Sequence, residues 1–297
     1  MPARKRDASS PKRNSAPFGR RSWHTTIAKE AYLAECQRKN RESTYKGYKW
    51  RLDKRFPWGR RNIADITPRD VLAKLNSLNG TPMEKRYTFV AARSFFNWCV
   101  AQHILDVSPV TRLDVPPPGR SRERVLTPAE LRAIWDACPD DPYGTTVKLL
   151  ILTGQRRGEI RHITLDGDLA TIPSAHTKNK RTHVFPVGEM ARELLGKPRV
   201  FNGWGKSKAR LDKDAGVTGW TLHDLRRTYA TTLAESGTPP HVIEAILNHK
   251  SGIISGVASV YNRCRYTDEM WVAVAAFEKS FAALLQADPS KDESAPS

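Results

Sequence analysis

Apolar residues recur at helical spacing through residues 23–113, and two helix starts there are the clearest. Thr67 and Thr81 are each followed by a proline and, three residues on, by an acid. This order is typical of a threonine cap, a proline in the first helical position and a carboxylate in the first turn. The stretch after Thr81 continues as a largely apolar stripe from Phe89 to Ile104. We therefore predict a domain of four or five helices over residues 23–113.

A second group of elements is predicted after residue 121. Helical spacing or a capped start marks residues 126–138, 143–152, 156–163, 189–195, 206–215, 224–235 and 239–247, and a last helix carries an apolar stripe at Met270, Val274, Phe277, Phe281 and Leu284. Residues 170–173 and 182–187 read as short strands, and the basic turn between them predicts a hairpin. The fold class that follows is mainly α with a small β-hairpin or sheet (α+β). The last stripe needs a covering groove, which can belong to a neighbouring subunit.

The clearest linker is residues 114–121, in which three consecutive prolines favour an extended spacer. Residues 1–22 hold seven basic residues against one acid. Because this segment cannot bury enough apolar surface to fold alone, we expect a disordered basic arm that adds DNA affinity or merely solubilises. The predicted organisation places this arm before a helical domain at 23–113, the linker, a second domain at 122–285 and a disordered tail at 286–297.

Composition indicates an anionic partner. Lys and Arg total 49 against 31 Asp and Glu, a formal charge of +18. Such a field attracts polyanions, so DNA or RNA is the default partner, although a ribosome-associated protein would share it. No apolar run reaches the ~18 residues of a membrane helix. Four widely spaced cysteines and no C-x-x-C pair favour a reducing cytoplasm. We expect no membrane association, metal or cofactor.

His223 and Arg226 stand three residues apart at the start of a predicted helix, so their side chains should leave the same face. A guanidinium suits phosphate oxygens, and an imidazole can move a proton near neutral pH. Alone, the pair could be a packed histidine and a solvated charge. Four further candidates alter that interpretation, and in chain order they are Arg156, Lys178, His249 and Tyr261.

In this order the residues resemble the tyrosine recombinase family, the phage-type integrases. That family has an arginine in T-G-x-R-x-x-E, matched at residues 153–159, a lysine on a β-hairpin, and H-x-L-R, matched at residues 223–226. A histidine in an L-G-H-like turn and a tyrosine shortly after it complete the series. The hairpin from Ile172 to Pro186 is most similar to prophage integrases. The resemblance spans about residues 122–285 and implies a helical core-binding domain followed by a catalytic domain.

The resemblance implies a role for each candidate. Tyr261 would be the nucleophile, leaving a 3′-phosphotyrosyl link and a free 5′-hydroxyl. Arg156 and Arg226 would clamp the phosphate, and Lys178 would be the general acid. His223 and His249 would assist proton transfer and charge. Independently of the resemblance, a phenolate can cut a phosphodiester without metal or water and keep the bond energy for rejoining.

Several alternatives stay open. Asn248 occupies the position where the family usually has glycine, and Asn accepts the left-handed backbone conformation that such a turn needs. The interval from His249 to Tyr261 is longer than the family's commonest spacing, which makes Tyr266 a rival nucleophile. Lys180 is likewise a rival to Lys178. Glu159 could orient a neighbouring side chain or be a plain surface acid.

The function implied is a site-specific recombinase, the integrase of a prophage or related mobile element. Its two domains would close around duplex DNA like a C-clamp. Four protomers would act on two duplexes at attachment sites, and DNA-bending accessory proteins could assist. One alternative is an architectural DNA-binding protein of the same fold that has lost catalysis. Another is a type IB topoisomerase-like enzyme, which shares the attack chemistry without sequence-specific synapsis.

Overall fold

The computed structural model describes residues 23–119, 122–249 and 266–287. The chain divides into two compact units, Met1–Ser121 and Arg122–Ser297. The predicted basic arm, the C-terminal tail after residue 287 and Tyr261 lie outside the described residues.

The first unit contains four described α-helices and a 3₁₀ turn at Ile63–Asp65; the helices are α1 (Thr25–Lys39), α2 (Glu42–Arg55), α3 (Pro68–Asn76) and α4 (Pro82–Ala101). Both predicted threonine caps are confirmed, since the hydroxyls of Thr67 and Thr81 accept the backbone N–H of the third residue of their helices. The apolar stripe of α4 supplies the centre of the core, where Phe89 and Phe95 are fully buried.

The second unit has seven described α-helices: α5 (Pro128–Asp136), α6 (Pro142–Thr153), α7 (Glu189–Leu195), α8 (Trp204–Ala215), α9 (Leu222–Glu235), α10 (Pro240–Leu247) and α11 (Thr267–Gln286). Its antiparallel sheet has the order β1 (Thr164–Asp166), β2 (Leu169–Ile172) and β3 (His183–Pro186). The predicted mainly α fold with a small sheet is thus confirmed, and one continuous apolar core lies beneath these elements.

The prediction of a helix over residues 156–163 is wrong. The chain there makes a 3₁₀ turn at Ile160–His162 and then enters β1, which pairs with β2 in the register Thr164 opposite Thr171. The apolar spacing of Ile160 and Ile163 imitates a helical stripe. However, the backbone there forms successive tight turns, with bonds from Glu159 N–H to the Arg156 carbonyl and from His162 N–H to the Glu159 carbonyl, and it is already extended at Ile163, just before β1.

The end of α6 is set by Gly154, which adopts a left-handed conformation with φ of 61°. A β-carbon at this position would meet the Tyr229 ring at 2.5 Å and the Leu247 side chain at 2.9 Å. Glycine therefore allows both the sharp turn and the close approach of α9 and α10. The turn places the residues after α6 beside the end of α10.

The apolar stripe of α11 packs into the core of its own unit, so its groove lies within this chain and need not belong to a neighbouring subunit. Phe277 contacts the ring of the buried Tyr229 at a centroid distance of 4.4 Å, as expected for a core tyrosine. The carboxylate of Glu278 accepts the backbone N–H groups of Met190 and Ala191 at 3.1 Å each. These bonds satisfy donors that the start of α7 would otherwise leave unpaired.

None of the helices in the described ranges combines the length and apolar character that a membrane crossing requires. Within the same ranges, no group of three His, Cys, Asp or Glu side chains is placed to hold a metal ion. The described cysteines, Cys36, Cys99 and Cys138, are buried free thiols. Burial raises the pKa of Cys99 and of Cys138 to about 12, which keeps both in the unreactive thiol form.

Candidate active site

The carboxyl end of α10 is the point around which the candidate residues gather. The helix ends at Leu247, and Asn248 caps it in a left-handed conformation with φ of 48°. The final carbonyls of any helix have no partner within the helix. Here the carbonyls of Ile246, Leu247 and Asn248 accept hydrogen bonds from side chains of other elements.

Arg226 projects from the second turn of α9 and is only 6% exposed. Its Nη1 donates to the Gly154 carbonyl at 2.9 Å, and its Nη2 donates to the Leu247 carbonyl at 2.6 Å. Burial, with a smaller contribution from the nearby charge of Arg156, lowers the pKa of this guanidinium to about 10. The group therefore remains a cation at neutral pH.

Arg156 follows the turn at the end of α6, and its side chain is 24% exposed. Its Nη1 donates to the two carboxylate oxygens of Glu159 at 3.2 and 3.4 Å, and its Nη2 reaches the Asn248 carbonyl at 3.4 Å. Glu159 is only 3% exposed, so it is not a plain surface acid. Its carboxylate holds the Arg156 guanidinium against the end of α10.

Lys178 is exposed on the loop between β2 and β3. Its backbone N–H donates to Glu159 Oε1 at 3.3 Å. The next residue, Asn179, exchanges side-chain amide hydrogen bonds with Asn248, one of them at 3.4 Å. These contacts bring the loop beside the end of α10. Lys180, the rival lysine, is also exposed and has a left-handed φ of 57°.

His223 lies in the first turn of α9, which begins as the Thr221 backbone N–H donates to the buried Asp224 carboxylate at 2.8 Å. His223 itself is exposed, but partial desolvation of its ring lowers its pKa, and the charges of Arg226 and Arg227 lower it further. The imidazole is thereby shifted toward its neutral form. It lies within electrostatic reach of the guanidinium cluster.

His249 follows Asn248 directly and is exposed. Its backbone N–H donates to the Glu244 carbonyl at 3.0 Å, which fixes the chain direction after the helix. The structure therefore places Arg156, Arg226, His249 and the Lys178 loop around one helix end. Tyr261 falls outside the described residues, so its position relative to this cluster is not part of the structure.

Tyr266, the rival nucleophile, lies elsewhere. It caps the start of α11 with a left-handed φ of 51°, and its half-buried ring packs against His241 at a centroid distance of 4.7 Å. His241 is in the first turn of α10, whereas the arginines bond the last. At 1.5 Å per residue, the two ends are about 9 Å apart.

Two residues beside the cluster were missed in the sequence. His183 of β3 places its Nε2 2.9 Å from the Ile246 carbonyl, and Gln155 Nε2 donates to the same carbonyl at 2.8 Å. Burial lowers the pKa of His183 to about 4, so the ring is neutral at neutral pH. The available signal was alternation, because His183 and Phe185 occupy buried positions on either side of the exposed Val184.

Chemically, the arrangement suits a phosphate. Two permanently charged forks lie side by side, with imidazoles nearby, at a helix end held by hydrogen bonds. Arginines in this geometry can contact non-bridging oxygens and stabilise charge that develops in a transition state. The imidazoles and the lysine offer groups for proton transfer.

Comparison with known proteins leads to the same family that the sequence motifs resemble. Residues 195–267 match the family model described as the phage integrase family. The prophage integrase IntZ of Escherichia coli K12 is 29% identical over 239 residues, a match that covers 70% of this chain and 58% of that protein. Tyrosine recombinase XerC of Roseiflexus castenholzii is 26% identical, with coverage of 75% and 85%.

Solved structures share the fold. A lambda integrase tetramer bound to a Holliday junction superposes with a TM-score of 0.64 at 18% identity, over 79% of this chain and 80% of that one. A lambda integrase dimer bound to a COC′ core site gives 0.62 at 18% identity, over 77% and 96%. At this identity the likeness establishes the architecture.

Proposed function

Since the chain belongs to the phage integrase family of tyrosine recombinases, we propose that it is a site-specific DNA recombinase. It cuts and rejoins DNA strands through a covalent 3′-phosphotyrosyl intermediate. The observation that carries this proposal is the pairing of Arg156 and Arg226 on adjacent carbonyls at the end of α10, directly before His249. A passive DNA binder needs positive charge but not two guanidiniums held at one point.

In the proposed reaction the Tyr261 oxygen attacks the phosphorus atom, and the bond from phosphorus to the 5′-oxygen breaks. Arg156 and Arg226 contact the non-bridging oxygens and stabilise their growing charge. Lys178 gives a proton to the departing 5′-oxygen, while His223 and His249 assist proton transfer. No cofactor or metal enters this scheme. Rejoining is the reverse reaction: a different 5′-hydroxyl attacks the phosphorus atom, and the bond from phosphorus to the Tyr261 oxygen breaks.

The placement of Tyr266 supports Tyr261 as the nucleophile. The Tyr266 ring packs on His241 at the opposite end of α10 from the arginines. To reach their phosphate it would have to leave this contact and the start of α11. Asn179, between the two candidate lysines, is bound to Asn248, and the Lys178 backbone is bound to Glu159, which favours Lys178 as the acid.

The proposed substrate is double-stranded DNA carrying attachment sites, and the formal charge of +18 suits it. The similarity to the IntZ prophage integrase suggests integration or excision of a prophage or related element in the bacterial cytoplasm. The similarity to a lambda integrase tetramer on a Holliday junction suggests that four protomers act together. DNA-bending proteins would be accessory partners.

A nicked suicide substrate tests the proposal. Its sequence is taken from direct repeats that flank the gene, and the nick lets the cut fragment diffuse away so that the adduct accumulates. The wild-type chain should form a denaturant-resistant protein–DNA adduct, as should Tyr266→Phe, whereas Tyr261→Phe should not. DNA binding without any adduct would support the architectural alternative. Relaxation of supercoiled DNA that lacks the repeats would support the topoisomerase-like one.

A further inference from the structure

The carbonyl of Ile246 is held by two buried donors that the proposed chemistry does not use. Gln155 and His183 are 1% and 6% exposed, and both donate to this one oxygen at 2.8 and 2.9 Å. They come from different elements: Gln155 from the turn after α6 and His183 from β3. Two buried side chains therefore converge on the last turn of α10 from separate directions.

We propose that Gln155 and His183 are positioning residues that fix the last turn of α10, and through it His249 and the paired guanidiniums. The inference rests on the proposed function for its catalytic consequence. The three carbonyls of residues 246–248 are consecutive, and the arginines bond the second and third of them. Any rotation of the turn would therefore displace the guanidiniums and the imidazole together.

His183 is built to act as a fixed donor. Its ring stacks on Phe185 at a centroid distance of 4.7 Å with an interplanar angle of 18°, so its orientation is held by packing. A carbonyl only accepts, so the proton must lie on Nε2. A neutral ring suits a place beside two guanidiniums, because a charged imidazole would repel them.

Gln155 joins the arginine-bearing turn to α10. Its Nε2 donates both to the Thr153 carbonyl at 3.2 Å and to the Ile246 carbonyl, and the next residue is Arg156. Its Oε1 is buried without a hydrogen-bond partner among the described residues. An unpaired buried oxygen is a cost to folding, so the amide is better explained by the position that it holds than by stability.

Amide hydrogen exchange tests the positioning without DNA. The backbone N–H groups of Asn248 and His249 bond the carbonyls of Ala245 and Glu244 and report on the turn. His183→Phe keeps an aromatic ring but loses the donor, so exchange at both amides should speed up about tenfold, as for one lost hydrogen bond. His183→Gln retains a donor and should restore slow exchange. Unchanged exchange in both His183→Phe and Gln155→Met would overturn the proposal.

Single-turnover cleavage of the suicide substrate tests the catalytic consequence. His183→Phe and Gln155→Met should lower the cleavage rate about 10- to 100-fold, on the order of the loss from misplacing a catalytic group. The dissociation constant for the same DNA should change less than about threefold, and His183→Gln should recover most of the rate. If His183→Phe fails to fold, Gln155→Met and His183→Gln still decide the question.

A double substitution separates positioning from general destabilisation. If His183 acts partly through His249, then His183→Phe should cost less in a His249→Ala background than in the wild type. If the rate loss of the double variant equals the product of the two single losses, His183 does not act through His249. If the wild type forms no adduct, the proposed function fails, whereas the exchange measurement still decides whether the two donors fix the turn.

Discussion

Arg226 and Arg156 donate to neighbouring carbonyls, Leu247 and Asn248, at the end of α10. Two like charges are thus held together by the partly negative end of a helix. Burial lowers the pKa of Arg226, and this repulsion adds to the effect. A bound phosphate would relieve this repulsion, which supports the proposed contact of both arginines with a phosphate.

Arg226→Ala should abolish cleavage and also destabilise the fold. It removes a buried group and leaves the Gly154 and Leu247 carbonyls without that partner, so we expect a loss of about 2–4 kcal/mol in the free energy of unfolding. DNA affinity should fall only a few-fold, because most of it comes from many other phosphate contacts. Urea denaturation, adduct formation and a binding titration measure the three effects.

Arg210→Ala is the matched control. Its side chain is exposed on α8 and, among the described residues, forms an ion pair with the exposed Asp214; such a pair is worth less than about 1 kcal/mol. Cleavage and stability should therefore be nearly unchanged. Equal losses of cleavage in both variants would show that net charge, and not the position at α10, matters.

Gly154→Ala should be strongly destabilising. The residue has φ of 61°, and the added methyl group would lie 2.5 Å from the Tyr229 ring. Backbone strain of about 1–2 kcal/mol and overpacking of about 1–3 kcal/mol should add. Gly167 has φ of 58° with open space around it, so Gly167→Ala should cost the strain alone. Urea midpoints compare the two, and equal costs would contradict the close packing at Gly154.

Acid should destabilise the wild type through His183. Its pKa falls from 6.5 to about 4 on folding, so between these values the unfolded chain binds more protons, and stability falls as pH drops. With about 1.4 kcal/mol per pKa unit, the cost at pH 5 is roughly 2 kcal/mol relative to pH 7.5. His183→Gln cannot bind this proton and should lose correspondingly less over that range. Parallel pH profiles of the unfolding free energy in the two proteins would refute the assignment.

Glu278→Ala should weaken the contact between α11 and the start of α7. The substitution removes the acceptor for the backbone N–H groups of Met190 and Ala191, at about 1 kcal/mol per hydrogen bond. The expected cost is roughly 2 kcal/mol by urea denaturation. Lys279→Ala, at an exposed neighbouring position, should change stability by less than about 0.5 kcal/mol. If both variants are equally stable, Glu278 does not cap α7 in solution.

Local patterns in the sequence were enough to predict most helices. The starts at Thr67, Thr81 and Thr127 follow from a side-chain oxygen, a proline and an acid within four residues, and such short-range chemistry is visible in a sequence. The strand β1 was missed because its stability comes from pairing with β2. The helical spacing of Ile160 and Ile163 just before it gave no sign of that pairing.

The site residues also divide into those that a local pattern predicts and those that only long-range contacts place. Arg226 and His223 could be placed on one face of α9, since helical spacing alone determines that. The bonds of Gln155 and His183 to Ile246 join positions 91 and 63 residues apart, respectively, and no local pattern encodes them. The packing of α11 on its own unit likewise depends on a groove formed by distant elements.

The most direct test of the central claim is the identity of the residue that carries the DNA. The adduct from the nicked substrate is digested with protease and nuclease, and the peptide bearing a nucleotide is sequenced by mass spectrometry. We predict that the phosphodiester is linked to the phenol oxygen of Tyr261. A nucleotide on Tyr266 or on any other residue would contradict the account.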